Sequence, residues 1–170
     1  MITEPKLESR PARHFIAIRT QVPIPFGKYI GPLYKETSDW MADRGIPHAG
    51  PPIIRYLTTD MSRKLDIEVG WLVAGPVSGD ERVSARVLPA GRYATMMYTG
   101  SYRGKGLYYA TAALLEWAEK NGVRWAKSDR DGVEWWDARV ELYHTDPEQE
   151  PDPKKWQTEL VFLTADGPAT

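Results

Sequence analysis

The sequence predicts an α+β fold built by tandem duplication of a β-α-β-β module, with antiparallel sheets, helices on the outer faces and a ligand groove between the modules. Three observations carry this. Strand-like and helix-like segments occur twice in the same order. An offset of 77 lays Gly27-Lys28 on Gly104-Lys105, Asp39-Trp40 on Glu116-Trp117, Gly45-Ile46 on Gly122-Val123, and Ala17 on Ala94. Between the copies lies Gly75-Pro76-Val77-Ser78-Gly79-Asp80, a run of turn formers. Residues 1–170 therefore read as a single domain of two pseudo-repeats, about 10–75 and 82–165. A solenoid needs at least three such units, so two copies close on each other as a pair.

The elements follow in order. Residues 13–22, Arg-His-Phe-Ile-Ala-Ile-Arg-Thr-Gln-Val, read as a strand ended by Pro23 and Pro25. From Pro32 to Arg44, Leu33, Thr37, Trp40 and Met41 recur at spacings of three and four, one face of a helix. Gly45 is placed to cap it, with Pro47 just beyond. Residues 52–59 and 66–74 read as strands joined by Asp60-Met61-Ser62-Arg63. In the second copy, 82–88 and 92–99 read as strands. Leu107, Ala110, Leu114 and Trp117 stripe a helix over 106–120, ended by Asn121-Gly122. Residues 137–145 and 156–164 are two further strands around an acidic, proline-containing loop at 146–153. Past the helix the register slips to an offset of 91, where Glu68 meets Glu159.

Composition narrows the function. The formal net charge is -1 and no basic stripe runs along the chain, so nothing calls for nucleic-acid contact. There is no cysteine, which removes disulfides, thiolate metal sites and cysteine nucleophiles and fits a reducing compartment. No run approaches the roughly 20 apolar residues of a membrane span, and the charged N-terminus has no signal-peptide character, so the expected location is cytoplasmic. His14, His48 and His144 fall on separate elements, and the glycines at 100–106 lack the Ser or Thr after Lys of a phosphate loop. No metal and no cofactor are expected. Seven Trp and nine Tyr against three Phe favour rings with a polar handle, the kind used at recognition surfaces.

The candidate site is acidic and aromatic. On the strand at 138–145, Arg139, Glu141 and Tyr143 point one way, and Val140, Leu142 and His144 the other. If the apolar faces pack on the helix, Glu141, Tyr143 and Glu159 look away from it, across the groove towards Glu68 and Tyr56 of the first copy. Trp135 and Trp136 flank the set. A single Glu on an open strand face is more simply a solvated residue. A carboxylate walled by aromatic rings suits a lipophilic cation, through charge pairing and cation–π contacts of about 0.5–2 kcal/mol per ring.

Four stretches carry a resemblance to a known family: Leu88-Pro89-Ala90-Gly91-Arg92-Tyr93-Ala94; Tyr98-Thr99-Gly100-Ser101-Tyr102; Leu115-Glu116-Trp117 with Gly122; and Glu141-Leu142-Tyr143-His144-Thr145-Asp146-Pro147 followed by Thr158-Glu159-Leu160. They resemble the GyrI-like small-molecule-binding domain, the effector-binding domain of bacterial multidrug-sensing transcription activators. The resemblance is clearest over 82–163. It implies two β-α-β-β modules around a pseudo-twofold cleft with glutamates at its base, carried over to Glu141 and Glu159. No helix-turn-helix segment is read before residue 13, so a stand-alone member that does not itself contact DNA is expected, as monomer or homodimer. The leading expectation is a binding protein for planar aromatic or cationic small molecules, through Glu141, Glu159, Tyr143, Glu68, Tyr56, Trp135 and Trp136. Two alternatives stand beside it. One is a hydrolase of cyclopropane-bearing or similar electrophilic genotoxic compounds, with Glu141, Glu159 and Tyr143 as its chemistry. The other is a gyrase-inhibitor-like interaction protein.

Overall fold

A computed structural model describes residues 1–60 and 62–165; Met61, expected in the turn joining the strands at 52–59 and 66–74, lies outside the described residues. The chain runs β1 (Lys6–Arg10), β2 (Arg13–Val22), α1 (Gly27–Asp43), β3 (Pro52–Tyr56), β4 (Leu65–Val73), β5 (Ser84–Leu88), β6 (Gly91–Thr99), α2 (Gly106–Lys120), β7 (Lys127–Arg130), β8 (Val133–Trp136), β9 (Arg139–Tyr143) and β10 (Gln157–Leu163). Eight strands form one curled antiparallel sheet in the order β1-β6-β10-β9-β3-β4-β2-β5, and β7 pairs with β8 as a separate hairpin. The two modules therefore share one continuous sheet. Its order is mirrored about the β9–β3 junction, where Ile54 lies opposite Glu141 and Ile53 opposite Leu142.

The helices take their ends from the glycines. Gly45 and Gly122 both have φ +67, the left-handed region open to a residue without Cβ. In each case the next amide returns to the last turn, Ile46 N to Met41 O and Val123 N to Ala118 O, both at 2.9 Å. Helix α1 begins one turn earlier than its apolar stripe suggests, at Gly27, with Pro32 inside it. Pro32 costs one backbone hydrogen bond, while the added turn buries Ile30.

Both helices lie on the same face of the sheet. Helix α1 packs Trp40 and Met41 on Ile16 and Ile18 of β2 and Val73 of β4. Helix α2 packs Ala110 and Leu114 on Ala94 and Met96 of β6 and on Leu160 and Phe162 of β10. The opposite face curls around its own core of Phe15, Ile53, Leu72, Tyr93, Val140, Leu142 and Val161. Fully buried aliphatic and aromatic side chains stabilise by about 1.5–3 kcal/mol each, so both faces hold the sheet.

This double coverage corrects the expected orientation of the acidic strand. Val140 and Leu142 face the core away from the helices, and Glu141, opposite Ile54 and Leu160, takes the helix-bearing face. Strand β1 and the β7–β8 hairpin were not anticipated. Their sequences, Lys-Leu-Glu-Ser-Arg and Lys-Ser-Asp-Arg, are too polar to announce strands, and β1 forms by edge pairing to β6.

Candidate functional site

Between the two helices the sheet surface is floored by β3 and β9, and β9 sets Arg139, Glu141 and Tyr143 along it. Tyr56 comes from β3. Glu141 is 5% exposed. Its Oε1 accepts from Tyr56 Oη at 2.7 Å and from Tyr143 Oη at 2.5 Å. Among the described residues, Oε2 accepts no hydrogen bond and no Lys, Arg or His pairs with the carboxylate. Further rings surround this centre. Phe26 meets Tyr56 edge-on at 6.1 Å, and Tyr102, before α2, meets Tyr143 edge-on at 5.5 Å while stacking on Trp156 at 4.7 Å. Tyr34 of α1 is held by its ring edge against Trp71.

Burial pushes the Glu141 carboxyl above its ordinary value, although the Tyr143 and Tyr56 hydroxyls and the nearby Arg139 charge pull the other way. The Tyr34, Tyr56 and Tyr143 phenols are all driven well above 10, first by burial and then by the Glu141 charge. They remain neutral donors at physiological pH. Three buried polar atoms on this face have no hydrogen-bond partner: Tyr34 Oη, Arg139 Nε and Thr158 Oγ1. Unpartnered buried polar atoms are scarce in folded proteins; these three lie on the face of the buried Glu141, and two more, Arg55 Nε and Thr95 Oγ1, lie on the opposite face.

The other expected site residues divide. Tyr56, Glu141 and Tyr143 come together. Trp136 is buried under α2 with its ring 4.7 Å from the Arg139 guanidinium. Trp135 points elsewhere, between the Arg19 and Arg130 guanidiniums at 6.0 and 5.3 Å. Glu68 and Glu159 lie on the opposite face of the sheet from Glu141, as the strand registers dictate. Glu68, 2% exposed, is clamped by Arg55 at 3.3 Å and Arg86 at 2.7 Å. Glu159 binds Arg10 and accepts from His144 Nε2 at 2.8 Å. Burial pushes the Glu159 carboxyl up, but hydrogen bonds from His144 and Arg10 outweigh this and hold it below its ordinary value. Glu68 and Glu159 are thus already neutralised by cations and do not join the Glu141 centre.

Sequence reasoning overlooked Tyr34, Tyr102, Arg139, Trp156 and Thr158 as site residues. Arg139 was legible through its parity with Glu141 and Tyr143. Tyr34 sits beside the apolar stripe of α1 and nothing local distinguishes it. Among the described residues no group of three or more His, Asp or Glu is arranged to hold a metal ion, and no helix is long and apolar enough to cross a membrane.

The sequence matches the family described as the GyrI-like small molecule binding domain over residues 3–163. No curated protein sequence matches significantly. Among solved structures, the C-terminal domain of EcmrR superposes with a TM-score of 0.76 at 20% identity, covering 96% of this chain and 98% of that domain. Against EcmrR in its DNA complex the chain is covered to 95% but spans 57% of the EcmrR chain, with 21% identity and a TM-score of 0.75. SAV2435 bound to tetraphenylphosphonium gives 0.60 at 10% identity, with 96% and 95% coverage. A hydrolase from Listeria innocua gives 0.58 at 15% identity, with 95% and 92% coverage. At these identities the likeness is one of fold.

Proposed function

The chain belongs to the GyrI-like small molecule binding domain family, and from that premise we propose that it binds an aromatic, cationic small molecule beside Glu141, between α1 and α2. One observation carries the reading: Glu141 is a buried acid with an oxygen that accepts no hydrogen bond and, among the described residues, no Lys, Arg or His within ion-pair distance, ringed by Tyr34, Tyr56, Tyr102 and Tyr143. An isolated buried carboxylate is costly, and a lipophilic cation against aromatic faces offsets that cost. The tetraphenylphosphonium complex of SAV2435, which shares the fold, supports the same ligand class. The lack of cysteine supports a cytoplasmic setting.

The test is a titration of tetraphenylphosphonium against intrinsic tryptophan fluorescence. Saturable quenching is expected, and Glu141→Gln should weaken it by roughly ten- to a hundredfold, the loss of one charge-assisted contact. Equal affinity of variant and parent would overturn the reading.

A second reading follows from the buried Glu141 carboxyl, which burial holds above its ordinary value and so makes a stronger base, and from the Listeria innocua hydrolase that shares the fold. Glu141 would take a proton from water as the water oxygen bonds a cyclopropane carbon, while the ring C–C bond breaks, its electron pair passes to a conjugated carbonyl of the substrate and that carbonyl oxygen picks up a proton from solvent. Incubation with a cyclopropane-bearing alkylator should then give a water adduct by mass spectrometry, lost in Glu141→Gln. An adduct formed at the same rate without protein removes this reading.

A further inference from the structure

We propose that Arg139 forms a second, anion-accepting pole of the Glu141 site, so that the preferred ligand is an aromatic compound carrying a carboxylate or similar acceptor as well as a cation. This rests on the reading of the groove given above and specifies its ligand.

Four other arginines of the sheet are matched with acids, while Arg13 of β2 bonds the Ala49 carbonyl. Arg10, Arg19, Arg55 and Arg86 each bond a carboxylate, Glu159, Asp66, Glu68 and Glu68 in turn. Arg139 bonds none, although Glu141 lies two residues along the same strand and on the same face. Its guanidinium is held by three rings, Trp136 and Phe162 at 4.7 Å and Tyr56 at 5.9 Å. Rings near a guanidinium attract its charge without supplying an oxygen acceptor to its N–H donors. Among the described residues no hydrogen bond is donated from these N–H groups, and Nε is enclosed without a partner. Burial disfavours this cation.

The two poles are complementary. Glu141 presents an unused oxygen, and Arg139 unused donors. Tyr56 ties them together, its hydroxyl on Glu141 and its ring beneath Arg139. Residues two apart on a strand are separated by about 6.6 Å, close to the span across a para-substituted benzene ring bearing charged groups. A ligand with a cation at one end and a carboxylate at the other would satisfy both, and the planar fork of Arg139 is matched to a carboxylate. A ligand bearing a cation alone leaves the guanidinium unsatisfied.

The test compares phenyltrimethylammonium with 4-(trimethylammonio)benzoate, which differ only in the carboxylate, by calorimetric titration of the full chain. The benzoate is expected to bind at least about tenfold tighter to the parent, in line with a charge-assisted bidentate contact. Arg139→Gln should remove this preference, so that the two compounds bind the variant within about twofold of each other. Arg139→Lys, which keeps the charge and loses the fork, should fall between. Glu141→Gln should weaken both compounds. If the cation binds through Glu141 and the added carboxylate brings nothing or harms binding in the parent, the Arg139 proposal fails and the groove reading survives. If neither compound binds the parent, both fail. The parent comparison decides even if an Arg139 variant does not fold.

Discussion

The two faces of the sheet treat buried acid in opposite ways. On the face away from the helices, Glu68 has two arginines and Glu159 an arginine and a histidine. On the helix-bearing face, Glu141 has only two phenol donors on one oxygen. All three residues sit within the sheet, and the first two looked as much like ligand-binding candidates as the third. What separates them is whether the protein supplies the counter-ion. A carboxylate already neutralised by its own chain has no remaining need for a cationic ligand. One left with neutral donors holds its charge at a cost in stability, and under the proposed function a cationic ligand offsets that cost.

The largest effect should come from breaking the neutralised side. Glu68→Gln leaves Arg55 facing a neutral amide in a nearly closed site, and loss of one member of a buried ion pair costs about 3 kcal/mol. Urea denaturation should show that loss, while tetraphenylphosphonium affinity of the folded variant stays within about twofold of the parent. A large loss of affinity would mean that the two faces are not independent. The corresponding change on the other side should have the reverse sign. Glu141→Gln relieves a buried charge, so at pH 7 it should raise the unfolding midpoint even as it abolishes most cation binding. Lower stability would show that Glu141 is a structural acid after all.

The tyrosines sharpen the same contrast. Tyr56→Phe removes a donor to a buried carboxylate, worth about 1.5–3 kcal/mol. Tyr34→Phe removes a buried hydroxyl that has no partner, so it should leave stability unchanged or raise it by up to about 1–3 kcal/mol. Thermal denaturation of the pair distinguishes them. A Tyr34→Phe loss as large as that of Tyr56→Phe would assign Tyr34 a structural bond. An unchanged stability with weakened ligand binding would place its hydroxyl on the ligand.

The frame was more legible in the sequence than the site. The helix stripes, the Gly45 and Gly122 caps and most strands leave period and punctuation that survive without tertiary information. The facing of β9 does not. Alternation separates Glu141 from Val140 and Leu142, but it assigns the apolar side to the helix only when one face is buried. Here Val140 and Leu142 at 0% and 2% exposure build a core on the far face, so the parity was right and the side reversed. Glu68 and Glu159 do look away from the helices, as expected, and it is the reversal of Glu141 that separates them from it. The Arg10 that binds Glu159 comes from β1, 149 residues away, which no local pattern could bring to it, whereas Arg55 faces Glu68 across the neighbouring strands β3 and β4 and was within reach of the sequence pattern.

The smallest effect is the one that most directly sets the two faces against each other, because the acids should titrate stability in opposite directions. Glu159 is held below the ordinary carboxylate value of 4.5. Its contribution is present above that value and is lost as pH falls through it towards the folded value. Glu141 is raised above 4.5. The folded chain therefore holds that proton more tightly, and its penalty grows as pH rises from 4.5 towards the folded value and disappears on acidification. The parent acid limb is the sum of a loss and a gain. Glu159→Gln should lower stability at pH 7 by about 1 kcal/mol, in keeping with a partly exposed pair, and make the fall from pH 7 to pH 4 shallower. Glu141→Gln should make that fall steeper. Unfolding midpoints measured across this range for parent and both variants give two slopes. Slopes displaced to the same side of the parent would mean that both acids sit in equivalent surroundings, and the distinction between a neutralised face and a ligand-seeking face would be lost.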